Sequence, residues 1–293
     1  MKQIYYANGF TITSDILLLG WRRIDCDLDY KFSIRIHLYH AKFNTQYKKE
    51  TWPYIYVDRR GLIFNWDNRI AMRIIDGKNP ICVQYQMEDS VKKIEVTFAL
   101  NFILSYIAHK HNRIALHGCC FADKQNRATI ILGESGCGKS TFLYKVLMKG
   151  YKFISEEVCF VNIGESIETF SSNQVIRLNA DMYSKSEEDI LYDSSDSKIT
   201  FWNAKYETEI SSILLDNIVF LEKSETKDRR LEELCISEAL NLILKKYLYT
   251  KSVIKKIPLG DVCESIIKVL RGANIYKYKG YPSCKIILQS LNL

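Results

Sequence analysis

The chain has 293 residues, 47% hydrophobic and 26% charged, with a formal net charge of +7 from 41 Lys and Arg against 34 Asp and Glu. This is an ordinary globular composition, long for one domain and sufficient for two, and the positive charge is spread rather than blocked, which argues against nucleic acid as a partner. No run approaches the ~18 apolar residues that cross a membrane, and the N-terminal Met-Lys-Gln-Ile-Tyr-Tyr-Ala-Asn-Gly lacks the apolar core and cleavage site of a signal peptide, so no membrane partner and a cytoplasmic location are expected.

Residues 1–95 carry short aromatic and β-branched runs: Phe32 to Leu38, Trp52 to Val57, Leu62 to Trp66, Ile70 to Ile75 and Ile81 to Tyr85. Turn signals such as Asp67-Asn68 and Asp76-Gly77-Lys78-Asn79-Pro80 separate them, which predicts a mostly antiparallel β-rich domain. Nothing in it has catalytic spacing, and it is the candidate module for holding a substrate or leader segment. From Val96 to His111 the residues Phe98, Phe102, Ile103, Tyr106 and Ile107 recur at helical spacing, opening a second domain over 96–293.

Ile114 to Phe121 and Ala128 to Leu132 read as strands joined by a short polar turn, an antiparallel hairpin. The second strand runs into G-E-S-G-C-G-K-S-T at 133–141, and Thr141 to Lys149 reads as a short helix. The spacing fits the phosphate-binding loop G-x-x-x-x-G-K-[ST] without a gap. Residues Gly133, Glu134, Ser135, Gly136, Cys137, Gly138, Lys139, Ser140 and Thr141 are therefore the candidate nucleotide contacts. Glycines let backbone N–H groups turn onto phosphate oxygens, Lys139 reaches the β/γ-phosphates, and the Ser140 hydroxyl can sit on Mg²⁺.

Tyr151 to Asn162 reads as one returning strand with Ser166 to Phe170 as its hairpin partner. The helix from Ser140 to Lys149 travels roughly 15 Å at 1.5 Å per residue, and Tyr151 to Glu156 return about 20 Å at ~3.3 Å each. Glu156 and Glu157 should thus arrive level with the loop. Strand alternation lets only one of them face the phosphates; Glu156 is the expected base, and Glu157 its orienting partner or a Mg²⁺ ligand with Ser140. Carboxylates between Phe153-Ile154 and Val158-Cys159-Phe160 need a partner, which Mg²⁺ or Lys139 would supply.

Ser184 to Lys198 is acidic and serine-rich, the composition of a surface loop. Ile218 to Leu221 reads as a buried strand, and Leu231 to Lys246 and Val262 to Leu270 as helices, the second stopped at Arg271-Gly272. The nine cysteines are odd in number and form no C-x-x-C pair, so buried thiols in a reducing compartment are expected. Cys137, before a helix, is the one candidate for a lowered pKa and for oxidative blocking of the loop.

L-H-G (116–118), the loop at 133–141 and K-G-Y-K-F-I-S-E-E-V (149–158) together resemble the catalytic domain of HPr kinase/phosphorylase. They are closer still to relatives that phosphorylate serine in small molecules or in ribosomally made peptides such as lasso-peptide precursors. The resemblance spans about residues 96–223. It implies a mixed α/β fold akin to phosphoenolpyruvate carboxykinase, with ATP and Mg²⁺ as cofactors. It also implies transfer of the γ-phosphoryl group to a hydroxyl of a peptide, protein or small molecule, and is compatible with a homo-oligomer. It carries the family histidine to His117 and the family arginine, in N-Q-V-I-R-L, to Arg177. The family's two aspartates fall on Glu156 and Glu157. The C-terminal arginine-asparagine loop that binds the HPr protein has no counterpart, which counts against HPr as substrate and against phosphorolysis. Two other readings stay open: an ATPase or switch using Ile218-Val219-Phe220-Leu221-Glu222 as a degenerate Walker-B strand, and a non-catalytic nucleotide-binding partner subunit.

Overall fold

The computed structural model describes residues 2–24, 33–46, 53–75, 77–172, 175–179, 190–193, 198–202, 212–224, 229–249 and 257–293. These form a mixed α/β chain in two compact units, Met1–Ile107 with Thr250–Pro258, and Ala108–Tyr249 with Leu259–Leu293.

The first unit is an eight-stranded sheet. Its strands are β1 (Gln3–Ala7), β2 (Phe10–Ser14), β3 (Arg22–Ile24), β4 (Ile34–His40), β5 (Tyr54–Asp58), β6 (Gly61–Trp66), β7 (Ile70–Ile75) and β8 (Ile81–Met87), in the order β3-β1-β2-β4-β8-β7-β6-β5. The five expected strands are present, but the sheet is mixed, because β2 pairs β4 and β4 pairs β8 in parallel. Helix α1 (Lys93–His109) covers it, with Tyr106 edge-on to Phe64 and Phe102 edge-on to Trp66. That packing keeps the helix with the first unit as far as Ile107, so the division falls at 107/108 rather than at 95/96.

The second unit is built on β9 (Arg113–Ala122), β10 (Arg127–Gly133), β11 (Lys152–Ser155), β12 (Val158–Ile163), β13 (Ile167–Phe170), β17 (Ser212–Glu222), β18 (Leu231–Glu233) and β19 (Asn274–Lys279). The hairpin β9–β10 is antiparallel, while β10 lies parallel to β17 and β17 parallel to β19. With the two pairings of β10, those of β9 with β12, β12 with β13 and β13 with β17 close a ring of five strands that includes the loop strand β10. A separate three-stranded sheet holds β14 (Val175–Asn179), β15 (Ile190–Asp193) and β16 (Lys198–Trp202). Of the stretch expected as an acidic loop at 184–198, residues 190–193 and 198 are thus strand, and the remainder lies outside the described residues.

The helices of this unit are α2 (Lys139–Leu147), α3 (Ile236–Leu242, continued by a π-turn Ile243–Tyr247), α4 (Leu259–Arg271) and α5 (Cys284–Ser290). The helix expected from Leu231 begins later, because Leu231–Glu233 extend the sheet against β19. Cys119, Phe121, Ile131, Val219 and Leu221 pack with Phe142, Leu143 and Val146 of α2 in one core cluster. The alternate residues Cys120, Ile130, Ile218 and Phe220 are equally buried and so face the other side of the sheet, where the Phe220 ring meets Tyr247. Burial on both faces is why these strands read as unbroken apolar runs. Truncating Phe142 to alanine would cost about 3–5 kcal/mol.

Candidate functional site

Strand β10 ends at Gly133, and the chain turns through 134–138 into α2. Gly138 is the residue before the helix, at φ 95, in the left-handed region. Gly133 is forced by space: a Cβ there would lie 2.5 Å from the Cys137 sulfur. The loop is therefore tight enough to exclude side chains where it folds back. Lys139 lies along it, its Nζ donating to the carbonyls of Gly133 at 2.6 Å and Glu134 at 3.1 Å.

The stretch Tyr151 to Asn162 is not one strand. β11 pairs β9 with Ser155 opposite Cys120, and β12 pairs the same strand with Val158 opposite His117. Between them Glu157 has φ 73, and Val158 N donates to Glu156 O at 3.0 Å. These two features define a three-residue γ-turn of the strained, positive-φ kind. The turn cancels the alternation expected of a regular strand, and both carboxylates line the same cleft.

That cleft encloses about 260 Å³ and brings together His117, Ser135, Gly136, Gly138, Lys139, Ser140, Thr141, Glu156, Glu157 and Arg177. Three of the expected loop residues do not line it. Gly133 closes the strand behind it. Glu134 points to the surface, where Lys246 holds it at 2.8 Å and lowers its pKa. Cys137 is buried under the loop. Burial raises its thiol pKa, more than the nearby Lys139 lowers it, so the expectation of an activated, oxidisable thiol is corrected: a sulfur packed against glycine in the core has lost the water that would stabilise a thiolate.

Glu156 is 7% exposed. Its Oε1 accepts from the Ser140 hydroxyl at 2.5 Å and its Oε2 from the Arg177 backbone N–H at 2.8 Å. Burial raises its pKa, against the lowering by Arg177 and by the Ser140 hydrogen bond. Glu157 instead pairs with the Arg177 guanidinium, Oε2 to Nη2 at 2.7 Å. Burial works against the Arg177 charge, but Glu157 and Glu156 outweigh it and raise its pKa. The expected base is Glu156, with Glu157 orienting it or holding Mg²⁺ beside Ser140; of the two carboxylates it is Glu156 that shares a hydrogen bond with Ser140.

His117 sits opposite Val158, its ring stacked on Tyr249 with centroids 6.3 Å apart. Burial, together with the charges of Lys139 and Arg177, pushes its pKa down to about 4, so the imidazole is neutral at pH 7. Tyr281 also lines the cleft; nothing in its local sequence marks it, and only the return of β19 beside β17 brings it to the loop. Glu222, the acid of the Walker-B reading, is 52% exposed at its side chain and bound to Lys277 at 2.9 Å; it is not among the cleft residues.

Among the described residues no group of three or more His, Cys, Asp or Glu is arranged to hold a metal. A Mg²⁺ binding here would need ligand phosphates to complete its shell, which is the usual habit of that ion; the Ser140 hydroxyl and a neighbouring carboxylate fit it. No described helix is long and apolar enough to cross a membrane.

Neither a scan against protein-family models nor a search of curated proteins finds a match. Among solved structures, the Hpr(Ser) kinase/phosphatase from Coxiella burnetii is similar over 61% of this chain and 85% of its own, with 11% identity and a TM-score of 0.32. A likeness of that degree does not assign the chain to a family.

Proposed function

We propose that the cleft binds a nucleoside triphosphate, with ATP and Mg²⁺ the favoured pair, and transfers its γ-phosphoryl group to a hydroxyl, serine on a peptide or small molecule being the favoured acceptor. The observation that carries this reading is the junction of two distant stretches: the Ser140 hydroxyl of the glycine-rich loop meets Glu156 at 2.5 Å, and Glu157 meets Arg177 at 2.7 Å in the same cleft. Phosphoryl transfer needs positioned groups and neutralised charge more than covalent help.

The loop amides and Lys139 would hold the β- and γ-phosphates. Ser140 and Glu156 would hold Mg²⁺, which when bound neutralises phosphate charge. Glu157, on its strained turn, would accept the proton of the attacking hydroxyl as the new P–O bond forms and the bond to the β-phosphate oxygen breaks, leaving ADP. Arg177 both orients Glu157 and offsets charge on the moving group. Phosphoryl transfer asks for placement of the acceptor hydroxyl more than for a strong base.

The test is incubation with γ-labelled ATP, Mg²⁺ and serine-containing peptides or small molecules. Label on an acceptor, lost in Glu157→Gln, is the expected result. ATP consumed with no labelled acceptor would favour the switch reading, and binding without turnover would favour the partner-subunit reading.

A further inference from the structure

Beside the loop lies a second hollow of about 300 Å³, lined by Gly136, Cys137, Lys223, Ser224, Gly280 and Tyr281. It shares Gly136 and Tyr281 with the cleft, and none of Glu156, Glu157 or Arg177. A single exposed aromatic needs no explanation by itself; Tyr281, 55% exposed, is singled out by where it is fixed. Its ring Cζ stands 3.8 Å from the point a Cβ on Gly138 would occupy, and Pro282 stands 3.0 Å from that point. The segment is anchored on both sides. Gly280 N donates to Glu222 O at 2.9 Å, the Tyr278 hydroxyl donates to Tyr281 O at 3.4 Å, and Ser283 caps α5 by accepting from Ile286 N.

We propose that Tyr281 is the platform on which the base of the donor nucleotide stacks, with the base and sugar entering this hollow beside Lys223 and Ser224. The proposal rests on the phosphate-loop reading above. A triphosphate held along Gly136 and Gly138 presents its transferring end to Glu156 and Glu157. Its nucleoside end must then leave the loop where those carboxylates are not, and the hollow is that place. A rigid tyrosine suits the task because a base offers its π-face whatever its identity. An aromatic side chain of the acceptor would suit the ring as well, but the acceptor hydroxyl belongs beside Glu157, which the hollow does not include.

The experiment is calorimetric titration of the full chain, with Mg²⁺, using ATP and inorganic tripolyphosphate as separate probes on wild type, Tyr281→Ala and Tyr281→Phe. ATP affinity is expected to fall about tenfold in Tyr281→Ala and to stay near wild type in Tyr281→Phe, while tripolyphosphate binds all three alike. Unchanged ATP binding in Tyr281→Ala overturns the proposal, as does equal weakening of both probes, which would mean a displaced loop. A wild type that binds neither probe removes the phosphate-loop reading, and this proposal with it.

Discussion

Glu156 and Glu157 are chain neighbours whose carboxylates line one cleft, because Glu157 sits at φ 73 where a strand would have sent the two to opposite faces. Positive φ costs a non-glycine residue of order 1–3 kcal/mol. That cost is tolerated beside a partly exposed ion pair with Arg177, and it yields two separable predictions at position 157. Glu157→Gln should lower kcat by about 10²–10⁴ if the carboxylate takes the acceptor proton, with the KM for ATP little changed. Glu157→Gly removes the carboxylate but adopts the turn without strain. It should be as inactive while keeping a Tm within about 4 °C, the equivalent of about 1 kcal/mol in a unit of this size. A glycine variant that keeps wild-type transfer would rule out Glu157 as the base.

Glu156 is expected to act on the metal instead. Because its Oε1 meets the Ser140 hydroxyl, Glu156→Gln and Ser140→Ala should both raise the Mg²⁺ concentration needed for half-maximal transfer, by about 10–100-fold. Burial already raises the Glu156 pKa, so the neutral amide should leave the Tm close to that of the parent. An Mg²⁺ requirement unchanged in Glu156→Gln would return the metal to Glu157.

Much of the second unit was legible because its strands are buried on both faces: Ile114 to Phe121, Ala128 to Leu132 and Ile218 to Leu221 read as apolar runs and fold as such. In the first unit, the helical spacing of Phe98, Phe102, Ile103, Tyr106 and Ile107 made α1 legible. The break at Glu156-Glu157 was not legible, since nothing in F-I-S-E-E-V-C-F marks a left-handed residue; glutamate is an unusual choice there, and only pairing of both flanking segments with β9 forces the turn. β1 and β2 were also missed, although Asn8-Gly9 joins them with both residues at positive φ, the signature of a two-residue hairpin turn. The parallel pairings of β4 are long-range, and no local pattern encodes them.

His117 makes the stability of the second unit depend on acid. Its pKa is pushed down to about 4 in the folded chain against an ordinary 6.5. The unfolded state therefore binds a proton first as pH falls, and the stability present above pH 6.5 is lost progressively toward pH 4. The loss is on the order of 1–3 kcal/mol, allowing for partial solvent screening. Glu156 works in the opposite sense, since its raised pKa favours the fold at low pH; comparison with a variant isolates the histidine. Chemical denaturation of His117→Gln at pH 7 and pH 4.5 should show a smaller difference than wild type. An equal difference would mean that the imidazole is protonated without cost.

Thiol chemistry should report on the surface of this unit and leave the loop untouched. Eight free cysteines are described. Cys235 is exposed, and hydrogen bonds from Ser237 and the Glu238 backbone lower its pKa, whereas burial raises those of Cys119, Cys120, Cys137 and Cys159. With iodoacetamide at pH 8, peptide mass spectrometry should find Cys235 modified well before Cys137. Early labelling of Cys137, suppressed by ATP, would restore the reactive-thiol expectation for the loop.

Glu222 decides between transfer and simple hydrolysis driven from β17. It stands at the end of a strand parallel to β10, where a Walker-B acid belongs, yet Lys277 holds its carboxylate at 2.9 Å and the side chain is half exposed. Engaging a metal would require breaking that ion pair and turning away from water, whereas Glu156 already touches Ser140 from a buried position. Glu222→Gln is therefore expected to behave as a surface substitution, worth about 0.5 kcal/mol or less, with ATP turnover within about twofold of wild type. A loss comparable to that of Glu156→Gln, in the same Mg²⁺ titration, would move the metal to β17 and favour a nucleotide switch over a phosphotransferase.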